Sequence, residues 1–217
     1  MTDTAQFIAF EGVDGAGKST QAERLAETLR ARGVSVVTVR EPGGTALGEA
    51  VRQILLDASE IPLEAESEAL LFLASRVQLY RTVIEPALAA GKTVISDRFH
   101  LSTLVYQGIA GELGEPRTRA LLGAVLGDRR PDLNVIVRAP LADCLDRLRA
   151  SEPDRFESRA GFLEKVHAAF EGLSEGTTLG LPGDRIEVVD GRGSPDTVAE
   201  QVESRVGSSR RDGKAQA

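Results

Sequence analysis

The chain has 217 residues, 41% hydrophobic, 27% charged and 4% aromatic, with a formal net charge of −7. Those values fit a soluble globular protein of one domain, or of one domain carrying a mobile lid. They argue against a dedicated nucleic-acid binder, which needs a basic face, and no apolar run approaches the ~20 residues that span a bilayer. Cys144 is the single cysteine, so an internal disulfide is excluded; the N-terminus, MTDTAQ, lacks signal-peptide features, and a cytoplasmic protein without a membrane partner is expected.

In chain order, FIAF (7–10) is strand-like and runs into a glycine-spaced loop. Residues 18–32 follow with helical spacing, Ala22, Leu25, Ala26 and Leu29 falling at i, i+3, i+4 and i+7. VSVVTV (34–39) predicts a second strand, and residues 67–90, with Leu70, Leu71, Ala74, Val77 and Leu79, predict a helix. TVIS (93–96) is the third strand, with helical segments at 100–110 and 117–127. LNVIV (133–137) is the fourth strand, with helical segments at 140–150 and 159–174; RIEVV (185–189) is the fifth, before a helix at 194–206. Residues 207–217, GSSRRDGKAQA, have no apolar face and read as a disordered polar tail, leaving one domain over 1–206. Short continuous Val/Ile runs suit strands buried on both faces of a parallel sheet. Their alternation with helices predicts an α/β fold with a parallel five-stranded sheet flanked by helices. In such sheets ligands bind beyond the carboxyl ends of the strands, where the unusual polar residues of this chain lie.

The loop Gly12-Val13-Asp14-Gly15-Ala16-Gly17-Lys18-Ser19-Thr20 matches G-x-x-x-x-G-K-[ST]. Glycines let backbone N–H groups turn inward around a polyphosphate, and the helix that follows aims its positive end at the anion. Lys18 is placed to reach the β- and γ-phosphates of a bound nucleotide, and Ser19 to ligate Mg²⁺. The motif alone does not separate a kinase from a GTPase, a motor or a switch. The chain has no N-K-x-D to read guanine; it has Asp97-Arg98 directly after the third strand instead. Asp97 suits a water-bridged Mg²⁺, and Arg98 suits a second anion, although such a pair also occurs as an ordinary strand-end ion pair.

FEGVDGAGKST (10–20), REPGGT (40–45), LLFLASRVQL (70–79), DRFHLSTLVYQG (97–108), PDL (131–133) and DRFE (154–157) occur in that order. The combination resembles the thymidylate kinase family over residues 6–205. The resemblance implies a P-loop nucleoside monophosphate kinase-like fold, a homodimer, and ATP- and Mg²⁺-dependent phosphorylation of dTMP to dTDP on the way to dTTP. The alternatives are another nucleoside monophosphate or deoxynucleoside kinase of this fold, and a non-catalytic nucleotide switch.

The resemblance also assigns roles to residues. Phe72, which alone reads as a core phenylalanine, is similar to the aromatic that stacks on thymine. Arg76, one helical turn on, corresponds to the arginine that meets the base; its donor-only guanidinium suits the O4 carbonyl and leaves cytosine's amino group unpaired. Arg98 resembles the arginine that grips the acceptor phosphate. Arg52 corresponds to a second acceptor-site arginine, though unaided it reads as a helix-surface charge. Thr103 and Gln107 correspond to side chains facing the base edge, and Tyr106 to a tyrosine beside the deoxyribose. Asp14 and Glu41 correspond to acids near the acceptor sugar and metal, with loop-stabilising carboxylates as the lesser alternative. Glu11 reads as a residue behind the site.

A phosphoryl-transfer transition state needs positive charge beyond Lys18 and Mg²⁺. The loop here holds Gly15 and Ala16 where one form of the family has an arginine, so it resembles the form whose lid supplies it. The candidate lid is RLRASEPDRFESR (147–159), with Ser151 and Pro153 breaking the helix; on composition alone it is a surface helix–turn–helix. Arg147 and Arg155 are expected to be catalytic, Arg149 less so. By the same resemblance Arg138 falls near the nucleotide side, with a structural and an ATP-contacting role both open. His167 stands where the family often has an arginine in the helix after the lid, and the Asp190-Gly191-Arg192 loop lies where the family cradles adenine, with residue types that are not diagnostic.

Overall fold

A computed structural model describes residues 5–56, 61–149, 154–173 and 181–212. Ser151 and Pro153, the expected helix break, and residues 213–217 of the expected tail lie outside them.

The five expected strands form one parallel sheet in the order β2-β3-β1-β4-β5. They are β1 (Phe7–Glu11), β2 (Val36–Arg40), β3 (Thr93–Asp97), β4 (Leu133–Arg138) and β5 (Ile186–Asp190). β1 pairs in parallel with β3 on one side and β4 on the other. The sheet therefore fans outward from the strand that feeds the phosphate loop, and the crevice at this reversal of strand order is where such sheets hold ligands. The three inner strands are buried almost throughout. The edge strands depart from the expectation of burial on both faces: β2 is half exposed along its length and β5 is buried only at Ile186 and Val189.

Helix α1 (Lys18–Ala31) buries Ala22, Leu25, Ala26 and Leu29, the stripe that its spacing predicts. It packs against α9 (Pro195–Asp212). The apolar stripe of α9 is Val198, Val202 and Val206, but its backbone stays helical to Asp212, into the segment expected to be a disordered tail. α2 (Ala46–Leu56) falls outside the expected helical segments, although Arg52 within it reads as a helix-surface charge. Leu47, Val51, Ile54 and Leu55 fall at i, i+4, i+7 and i+8, one helical stripe, along which Val51 and Leu55 are buried while Leu47 and Ile54 stay exposed.

The helix expected over 67–90 is three pieces: α3 (Ala65–Leu79), a π-helical turn (Tyr80–Ile84) and α4 (Glu85–Ala89). Pro86 explains the break, because it has no N–H for an i−4 carbonyl and its ring crowds the preceding turn; the wider turn before it closes with Glu85 N donating to Tyr80 O. A second π turn (Leu104–Ile109) follows α5 (His100–Thr103) and carries Tyr106 and Gln107. α6 (Glu115–Leu126), α7 (Leu141–Leu148) and α8 (Phe162–Gly172) complete the flanking layers.

Candidate active site

The phosphate loop joins the centre of the sheet to α1. Gly12 has φ 141°, and a Cβ there would stand 2.6 Å from the Val137 carbonyl oxygen; at Gly15, φ 78°, it would overlap the Cys144 carbonyl. Both positions need glycine on steric grounds as well as on backbone conformation. Lys18 is 5% exposed, and its Nζ donates to Val13 O at 2.8 Å and stands 3.8 Å from Asp14 Oδ1. Burial lowers its pKa, helped by Arg98 and opposed by Asp14 and Asp97.

Arg98 follows β3 in the left-handed region at φ 72°, a strained conformation for a residue with a side chain. The turn that forces it is pinned from beneath by Glu11, wholly buried at the end of β1. Glu11 Oε1 accepts the Phe99 N–H at 2.9 Å and Oε2 accepts the Ser102 hydroxyl at 2.5 Å. The guanidinium of Arg98 donates to Gly12 O at 3.1 Å, Ser102 Oγ at 2.8 Å, Tyr106 OH at 3.1 Å and Asp14 Oδ1. Tyr106 in turn donates to Asp14 Oδ2 at 2.7 Å. Burial alone would raise Asp14, but Arg98, Lys18 and the Tyr106 hydroxyl hold it well below the usual carboxylate range; the same pairing raises Arg98 against its own burial. Asp14 is thus a permanent carboxylate that anchors Arg98.

Arg76, 1% exposed, is the largest fully buried side chain among the described residues. It donates through Nε to Glu41 Oε2 at 2.6 Å, through Nη1 to Thr103 Oγ1 at 2.9 Å and through Nη2 to Phe99 O at 3.0 Å, and lies 5.1 Å over the Phe99 ring. Burial pushes the Glu41 carboxyl up to about 7, with Arg76 opposing and Glu11 assisting. Arg76, Thr103, Gln107 and Phe72 share a cavity with Arg98, Tyr106, Asp14 and Arg52. Its volume of about 90 Å³ is below the roughly 300–1,000 Å³ of ligand pockets. Phe156 accounts for part of the difference: it projects from the segment before α8 and sits 5.9 Å from both the Phe72 and Tyr106 rings. A second cleft holds Lys18, Ser19, Thr20, Asp97 and Arg147, and Asp14, Glu41, Arg52 and Arg98 line both spaces.

Ser19 Oγ donates to Asp97 Oδ2 at 2.5 Å, and Asp97 Oδ1 is buried with no hydrogen-bond partner. A hydroxyl, a carboxylate and an orphaned carboxylate oxygen are the hard oxygen donors that Mg²⁺ takes, so these residues fit that ion.

The remaining arginines separate. Arg147, at the end of α7, donates to Gly15 O at 2.8 Å and so reaches the phosphate loop. Arg155, expected beside it, is not there. Its side chain donates to Ile61 O at 2.7 Å and Ile54 O at 3.3 Å, and its backbone N–H to Leu56 O at 3.1 Å. Ile54 O belongs to the last turn of α2, whose carbonyls lack intrahelical partners, and the closer acceptor, Ile61 O, lies beyond that helix. Arg149 pairs with Asp146 on the surface. Arg52 donates to Pro42 O at 3.0 Å, and burial lowers its pKa, with Arg40 adding to the effect. Arg138 caps the C-terminus of α8 through Phe170 O, Glu171 O and Leu173 O. His167 Nε2 lies 3.0 Å from Ala139 O, and Asp190 pairs with Arg192. Sequence reasoning missed Phe156 and Ser102 as cavity residues, although both stand inside quoted motifs, and the Glu68–Arg159 pair, which no local pattern signals.

Comparison with known proteins agrees with this geometry. A family model, Thymidylate kinase, matches residues 10–184. The chain is 40% identical over 199 residues to a thymidylate kinase of Thermosipho africanus, covering 91% of this chain and 96% of that one. It is 47% identical over 169 residues to a thymidylate kinase of Ectopseudomonas mendocina, covering 77% and 80%. It is 49% identical over 158 residues to a thymidylate kinase of Cupriavidus necator, covering 71% and 76%. With a phosphate loop and a donor-lined cavity meeting at Arg98, and with relatives of this identity over most of its length, the chain belongs to the thymidylate kinase family.

Proposed function

We propose that this chain phosphorylates dTMP to dTDP with ATP as donor. The observation that carries the reading is the shared boundary of the two spaces: Asp14, Glu41, Arg52 and Arg98 line both the phosphate-loop cleft and the cavity floored by Arg76, Thr103 and Gln107. A nucleotide in each brings their phosphates together at Arg98. The phosphate-loop backbone from Gly12 to Thr20 and the N-terminus of α1 hold the ATP phosphates, with Lys18 moving from Val13 O onto them. Arg98, pre-positioned by four partners, neutralises the acceptor phosphate with Arg52, and Arg147 adds charge from the far side. The acceptor is already anionic, so no general base is needed and Asp14 stays ionised as the anchor of Arg98. Phe72 stacks on the base, Arg76, Thr103 and Gln107 read its edge, Tyr106 crowds a 2′-hydroxyl, and Glu41 orients Arg76. Ser19 and Asp97 would hold Mg²⁺, which would supply positive charge against the donor phosphates.

Exposed Leu47 and Ile54 on α2 and Leu70 on the adjoining α3 form an apolar surface that suits a homodimer. Among the described residues no helix is long and apolar enough to cross a membrane, in keeping with a cytoplasmic enzyme.

Product analysis with Mg-ATP and dTMP, dUMP, dCMP, dGMP, UMP, AMP or thymidine tests the reading. One dTDP formed per ADP, with dTMP preferred, supports it. Inert dTMP beside another reactive acceptor would assign the chain to a different kinase of this fold, and ATP binding without any transfer would make it a nucleotide switch.

A further inference from the structure

We propose that Glu68, a buried carboxylate on α3 outside the acceptor cavity, sets the pyrimidine preference of that cavity by fixing the amide orientation of Gln107. The proposal rests on the dTMP reading above and deepens it. Glu68 is 4% exposed. Its Oε1 accepts from Gln107 Nε2 at 3.0 Å and its Oε2 accepts from Arg159 Nη2 at 2.6 Å. The Arg159 guanidinium is itself held over the rings of Phe156 and Phe162, at 4.9 and 5.4 Å. Gln107 stands in the wall between the acceptor cavity and a second space that Glu68 and Arg159 line.

A carboxylate only accepts hydrogen bonds. The Gln107 amide must therefore turn its NH₂ toward Glu68, and its carbonyl oxygen is the end left for the cavity. The wall then offers donors from Arg76 beside an acceptor from Gln107. Thymine presents the complement, an O4 acceptor next to an N3–H donor. Cytosine presents an amino donor next to a bare N3 and mismatches both groups, which leaves buried polar groups unpaired. Arg76 alone supplies half of this discrimination; the other half depends on an amide that would otherwise be free to flip.

Glu68→Gln is nearly isosteric and reverses the arrangement. Its one carbonyl oxygen stays with Arg159, because the charge-assisted bond is the stronger. Its NH₂ then faces Gln107, whose amide must flip and present NH₂ to the base. Removing Arg159 frees that carbonyl oxygen to accept from Gln107 again.

The test is kcat/KM for dTMP and for dCMP in the wild type, Glu68→Gln, Gln107→Leu and the Arg159→Leu/Glu68→Gln double variant. The dTMP:dCMP ratio should fall about tenfold or more in Glu68→Gln, fall in Gln107→Leu, and recover in the double variant. A Glu68 that merely supports the fold would lower both acceptors by the same factor in Glu68→Gln, and that unchanged ratio overturns the proposal. An unchanged ratio in Gln107→Leu overturns it independently, even if the Glu68 variants do not fold. A wild type with no preference for dTMP would instead bring down the functional reading itself.

Discussion

Arg98 shows how much support one functional side chain takes. Its backbone at φ 72° is held by Glu11, and Ser102 links the two: the hydroxyl accepts from Arg98 and donates its single proton to Glu11. The relay has a direction, so Glu11 must be an acceptor at both oxygens. Ser102→Ala leaves Glu11 Oε2 buried without its partner and is expected to cost about 1–3 kcal/mol, read as a lower urea midpoint, together with a raised KM for dTMP; an unchanged midpoint would show the relay to be idle. Glu41 is a pH-sensitive residue of the cavity. Burial raises its carboxyl from 4.5 to about 7, so the folded protein binds this proton more tightly than the unfolded chain does. Glu41 therefore contributes stability that is full below pH 4.5 and lost as the pH rises through about 7. Between pH 4.5 and pH 8 the wild type should lose on the order of 2–3 kcal/mol relative to Glu41→Gln, measured by urea unfolding at each pH. Parallel stability curves for the two proteins would remove Glu41 as the source.

At the scale of elements, the region between α7 and α8 divides two roles. The end of α7 carries Arg147 to the phosphate loop, whereas the segment before α8 packs onto the acceptor side through Phe156 and ties itself to the end of α2 through Arg155. Arg147→Ala should lower kcat by about 10²–10³-fold, the usual effect of removing a charge-stabilising donor, with little change in KM for dTMP. Arg155→Ala should leave kcat within a few-fold and instead weaken dTMP binding by loosening the segment that bears Phe156. Steady-state kinetics on both variants decides the assignment, and a loss of kcat confined to Arg155→Ala would reverse it.

For the molecule as a whole, the sheet order puts β1 between β3 and β4, so the phosphate loop, Asp97-Arg98 and the start of α7 converge at one end of the sheet. The acceptor cavity is walled by α3 and by the second π turn, and the outer side of α3 and α2 exposes Leu70, Leu47 and Ile54. Sedimentation should show a dimer, and Leu70→Glu combined with Ile54→Glu should yield a folded monomer, since charges at the core of an apolar interface oppose association. A wild-type monomer at assay concentration would discard that surface as a contact.

The strands, α1 and the phosphate loop are legible in the chain because their causes are local: continuous Val/Ile runs, an apolar stripe, and glycines where backbone must turn inward. Motif order likewise groups Arg76, Arg98, Thr103, Tyr106 and Gln107, which the structure brings to one cavity. The sequence by itself therefore determined the fold class and the chemistry of the phosphate end. It did not determine the π turns, the first of which depends on how a helix accommodates Pro86; α2 is legible only through the stripe Leu47, Val51, Ile54 and Leu55 at helical spacing. Only the tertiary structure decided that Arg147 and not Arg155 meets the phosphate loop, and that Glu68 and Arg159, 91 residues apart, stand behind Gln107. The reason is physical: a guanidinium goes to whichever carbonyl or carboxylate the fold brings near it, and that neighbour is set by long-range packing rather than by spacing along the chain.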